Sequence, residues 1–162
     1  MMKHNLKWTI YQLAAILFLI IFFVIADQFM DALGSPSMSK RSLYLIGGML
    51  FALVSWIYIM LQLQISKQPS LMDHKMWRIM PVILSVIGPL SFIVFIILAT
   101  GPLMDWLDKW RWLLYIIMTY SMMLFFLFIM SLVHKLSESK HQVLHHTYLW
   151  ALGVLFVGAF ML

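Results

Sequence analysis

Five apolar blocks, residues 8–26, 43–63, 79–100, 113–133 and 143–162, alternate along the chain with short polar stretches. Each is close to the ~20 residues that an α-helix, rising ~1.5 Å per residue, needs to cross a ~30 Å hydrocarbon layer. No Lys, Arg, Asp or Glu falls inside any block, and histidine enters only as His145 and His146 at the start of the fifth. The pattern predicts an all-α protein: an integral membrane helical bundle of about five transmembrane helices with short loops, filling residues 1–162 as a single transmembrane domain.

The polar stretches fit that arrangement. Residues 27–42 contain GSPSMSKR, where Gly34, Ser35 and Pro36 form turns and Ser39 is placed to cap the second helix. The next stretch breaks at Pro69-Ser70 and then gathers Asp73, basic residues and Trp77, a composition suited to a membrane interface. The third, GPLMDWLDKWRW, spaces Trp106 and Trp110 four apart, and Asp105 and Lys109 likewise. A short helix there sets tryptophans on one face and an ion pair on another, lying along the interface. Trp106, Trp110 and Arg111 are the candidate partner-binding residues, because rigid aromatics beside arginine are common hot-spot chemistry.

Composition sharpens the class. Hydrophobic residues make up 64% of the chain and charged residues 10%, against about a quarter charged in soluble domains. The formal charge of +5 does not point to nucleic acid, because the basic residues stand dispersed at block ends, as membrane anchors do. With alternate connections on opposite sides, Lys3, Lys7, Lys67, Lys75, Arg78, Lys135 and Lys140 share one face. Lys40, Arg41, Lys109 and Arg111 share the other. Seven against four predicts the first face as cytoplasmic, with the N-terminus inside and the C-terminus outside. The expected setting is a bacterial plasma membrane. The first block is longer than the ~7 to 15 apolar residues of a signal peptide core, so it is read as a retained helix rather than a leader cleaved after Ala26. The absence of cysteine excludes disulfides, thiolate metal sites and a cysteine nucleophile.

Candidate chemistry is sparse. Proton-coupled transport usually places an ionisable group within a span, whereas the polar residues here are neutral, among them Gln12, Ser55, Gln62, Ser85, Ser91, Thr119, Tyr120, Ser121 and Ser131. The fourth block, with Thr119, Tyr120 and Ser121, is the most polar. Midway along the third, Gly88-Pro89 predicts a helix kink, since proline lacks the N–H and crowds the carbonyl four residues earlier. That kink is either a packing feature or a hinge or small cavity at mid-membrane depth.

The inner histidines are the only concentrated ligand set. His141 and His145 are four apart, a spacing that puts two imidazoles on one helix face for a metal, and a turn near Ser137 to Ser139 brings His134 toward them across a hairpin. The blander expectation is ordinary interfacial histidines. No nucleophile elbow, Walker loop or dinucleotide fingerprint occurs, so no enzyme activity and no cofactor are expected. The expected role is a non-catalytic accessory or interaction protein, its partners the lipid bilayer and another membrane protein or a second copy. The alternative is a small-solute or ion transport component with its path near Gly88-Pro89 and the polar fourth block.

Overall fold

A computed structural model describes residues 2–32, 40–68, 76–136 and 140–161. They form α1 (Met2–Ala32), α2 (Lys40–Lys67), α3 (Met76–Ala99), α4 (Pro102–Lys109), α5 (Trp112–Leu136) and α6 (Lys140–Met161), with no strand among the described residues. The fold is all-α. Five helices sit on the five apolar blocks and mostly overrun them, because Lys, Gln and Met are good helix formers and the backbone gains nothing by unwinding where the hydrocarbon ends. Ser39, Pro69-Ser70 and Glu138 lie outside the described residues.

Among the described residues four helices are long and apolar enough to cross a membrane, through Thr9–Gln28, Ile46–Lys67, Met76–Ala99 and Trp112–Leu136. Their surfaces carry the same message. Val82, Val86, Leu90, Phe92, Ile93 and Ile97 of α3 are all exposed, and no residue of Thr9–Gln28 in α1 is buried. In water such continuous apolar faces far exceed the few hundred Å² a soluble monomer tolerates. In hydrocarbon they cost nothing, and the helical backbone satisfies its own polar groups.

Contacts divide the chain into two compact units, Met1–Met72 with Leu152–Leu162, and Asp73–Ala151. In the first, α1 packs against α2. Two hydrogen bonds join them: Gln12 Nε2 donates to Gln64 Oε1 at 2.7 Å, and the Trp56 indole N–H donates to the Ala15 carbonyl at 2.8 Å. Each gives a polar group within the apolar stretch a partner on the facing helix, an interaction contributing about 0.6 to 2 kcal/mol in a bilayer. Met49, Leu53 and Ile57, spaced by four, form the buried stripe of α2 with Val54.

In the second unit α3 and α5 pack along each other as an antiparallel hairpin closed by α4. Two contacts fix the register. Trp77 stacks on His134, with centroids 5.6 Å apart, and Ser91 Oγ lies 3.0 Å from Tyr120 Oη. Fourteen residues up α3 (77 to 91) match fourteen down α5 (134 to 120), so the two helices run side by side without slippage. Phe126, Met130 and Ser131 of α5 and Val143, Thr147 and Ala151 of α6 are fully buried. The two buried hydroxyls bond to their own helices, Ser131 to the Phe128 carbonyl and Thr147 to the Val143 carbonyl, both at 2.7 Å. The side chains can therefore be buried without an unmatched polar atom.

Candidate functional site

Helix α3 continues through both of its prolines. Pro81 falls in the second turn, but Pro89 is internal, and having no N–H it cannot bond the Ser85 carbonyl. An i − 4 carbonyl points at residue i, so this acceptor lies on the face that carries both Ser85 and Pro89. On the same face the Ser85 hydroxyl donates to the Pro81 carbonyl at 2.7 Å, a back-bond that tends to bend helices.

That face lines a cleft of about 470 Å³ between the two helices. From α3 come Leu84, Ser85, Gly88, Pro89, Ser91, Phe92 and Phe95, and from α5 Ser121, Leu124, Phe125 and Phe128. Side-chain size accounts for the space. Gly88, Ser85 and Ser121 are small, a Cβ built on Gly88 meets nothing within 4 Å, and the bulky phenylalanines come after them on both helices, Phe92 and Phe95 on α3 and Phe125 and Phe128 on α5. Ser85, Pro89 and Phe92 are exposed, so the cleft opens on the flank of the hairpin. No ionisable side chain lines it.

At one end of the cleft the Ser91–Tyr120 hydroxyl pair closes the polar chemistry, with Phe95 edge-on to the Tyr120 ring, centroids 6.1 Å apart at 79°. Thr119, expected in the same polar group, instead bonds back to the Tyr115 carbonyl of its own helix at 2.7 Å. Ser121 brings a hydroxyl that makes no side-chain hydrogen bond among the described residues.

His134 is half-buried and stacked on Trp77, and His145 is exposed; the His141 side chain lies outside the described residues. No group of three or more metal-ligating side chains forms among those described. Trp106, Trp110 and Trp112 are all about half exposed. The structure alters their expected pairing: α4 ends at Lys109, and Trp110 caps it with φ −136° and ψ 74°. Leaving the helix turns Trp110 onto Trp112, their centroids 5.5 Å apart, while its N–H still bonds the Trp106 carbonyl at 2.8 Å. Asp105 and Lys109 are both exposed, and no ion pair joins them among the described residues. Arg111, between the two tryptophans in sequence, is exposed.

Sequence reasoning singled out Gly88-Pro89 and named Ser121 in the polar fourth block, but not the phenylalanines or the Trp77–His134 stack. The register could have found them: α4 is too short to offset α3 from α5, so residues whose numbers add to about 211 face each other. Neither a protein-family model, a curated protein nor a solved structure matches the chain. What fold and site define is therefore a class, an all-α chain with, among the described residues, four helices able to cross a membrane and a neutral cleft between two of them.

Proposed function

We propose that this chain is a five-span protein of the plasma membrane, α6 supplying the fifth span, with its N-terminus cytoplasmic and its C-terminus outside. It acts without catalysis, as an accessory or interaction partner of another membrane component. The observation that carries this reading is α1: none of Thr9–Gln28 is buried, and the helix it packs against most extensively is α2. A span held on one side leaves most of its circumference for another membrane protein or a second copy. Purification in mild detergent followed by mass spectrometry and cross-linking tests it. A stoichiometric membrane partner, or a homo-oligomer, cross-linked through residues 10–25 is expected; a monomer that remains alone in every mild detergent overturns the reading.

A second reading, a component that moves a small solute, is favoured by the position of the cleft at Gly88-Pro89 beside Ser121 of the polar helix. Flux in liposomes by the purified protein alone, lost on Gly88→Leu, would establish it over the first.

A further inference from the structure

The cleft between α3 and α5 has the features of a ligand site rather than of a passage. It reaches from Leu84 to Phe95, eleven steps of about 1.5 Å, or about 16 Å of the roughly 36 Å that a 24-residue helix spans. It therefore stops short of both ends of α3 and opens on the flank. Its volume falls within the roughly 300 to 1,000 Å³ usual for small-molecule pockets. With no ionisable side chain in the lining, a charged ligand would lose its hydration with nothing to replace it.

Two polar atoms distinguish the cleft from a plain greasy surface. Pro89 leaves the Ser85 carbonyl without its helical donor, and Ser121 of α5 adds a hydroxyl to the same lining. Each is placed on the lining, at a depth where water is scarce and a hydrogen-bonding ligand is the available partner. The flanking phenylalanines offer ring faces and edges on which a flat molecule packs.

We propose that the cleft binds an uncharged, lipid-soluble molecule with a ring-sized apolar body and one group that both donates and accepts a hydrogen bond, taken laterally from the hydrocarbon. The donor meets the Ser85 carbonyl and the acceptor meets the Ser121 hydroxyl. The inference rests on the membrane placement proposed above but not on the choice between accessory and transport roles.

The test uses the full chain in phospholipid vesicles, first confirmed as membrane-embedded by resistance to alkaline carbonate extraction. The probe is 4-(hydroxymethyl)benzophenone, which is neutral, carries a hydroxyl and a ketone, and photolabels neighbouring C–H bonds. Saturable labelling is expected, with adducts mapping to residues 84–95 and 121–128. Gly88→Leu, whose side chain grows into open space, should reduce it at least tenfold. Pro89→Ala, which restores the Ser85 hydrogen bond, and Ser121→Ala should each weaken apparent affinity about threefold to tenfold, as loss of one hydrogen bond does. The charged analogue 4-carboxybenzophenone should label the cleft at least tenfold less. Non-saturable labelling, or adducts outside those two segments in the unaltered protein, overturns the proposal without relying on any variant. So does a diazirine placed in a phospholipid acyl chain that labels the cleft and is not displaced by the alcohol, since a lipid tail then fills the space. Release of the protein by carbonate would instead defeat the membrane placement, a failure visible before any probe is added.

Discussion

At the scale of single residues, neighbouring hydroxyls on α5 have different work. Tyr120 reaches across to Ser91, whereas Thr119 bonds only to its own helix. Tyr120→Phe should therefore lower stability in detergent by about 0.6 to 1.7 kcal/mol, the range for interhelical hydrogen bonds within membranes. Thr119→Val should change it by less than about 0.5 kcal/mol, because no facing helix loses a partner. Equilibrium unfolding in mixed micelles, comparing the two variants side by side, checks the ordering; equal losses would mean that Ser91 and Tyr120 do not hold the hairpin. Gly88→Ala is a third case at this scale. A methyl there meets nothing within 4 Å, and alanine is favoured over glycine within a helix by about 1 kcal/mol, so stability should rise by up to that amount in the same assay.

Among the elements, α4 is the one whose position most constrains the rest. It begins with Pro102, whose missing N–H is harmless in a first turn, buries Leu103, and presents Trp106 to the outside. Tryptophan prefers the headgroup layer, while Trp56 sits in the middle of α2 with its N–H held by Ala15. In proteins retaining one tryptophan each, Trp106 should be quenched best by a shallow nitroxide lipid and Trp56 by a deep one; the reverse order would remove α4 from the interface. These elements were legible because block length and the absence of charge need no knowledge of neighbours. The short helix was legible too, from the fours in Asp105, Trp106, Lys109 and Trp110, although its last turn was not, since the departure of Trp110 is a backbone event that spacing does not register. The cleft was half legible. Gly88-Pro89 announces itself by covalent chemistry, but Ser121 gains its meaning only from the helix it faces, and an evenly apolar span carries no stripe to say which face that is. The histidines show the same limit, because His134 turned out to stack on Trp77, a residue fifty-seven positions away (134 − 77).

For the whole molecule, orientation turns on which end of the α3–α5 hairpin faces the cytoplasm. The register places Trp77 and His134 at one end and α4 at the other, so a single determination orients both helices. Lys75, Arg78, Lys135 and Lys140 flank the first end with Asp73 and Glu138, while Lys109 and Arg111 flank the second with Asp105 and Asp108. Basic residues near the ends of spans are retained inside, and four against two here agrees with seven against four for the full chain. Reporter fusions at Gln68, Lys109 and Ser139 should accordingly read inside, outside and inside. If that imbalance is the cause, replacing Lys75, Arg78 and Lys135 with Gln while converting Asp105 and Asp108 to Lys should reverse the bias at the hairpin. The Lys109 reporter should then shift from almost wholly external to a mixed or internal population. A cytoplasmic Lys109 in the unaltered protein would invert every side assigned above, and a reporter that stays external after the charges are exchanged would show that earlier spans, not the hairpin's own charges, set the orientation.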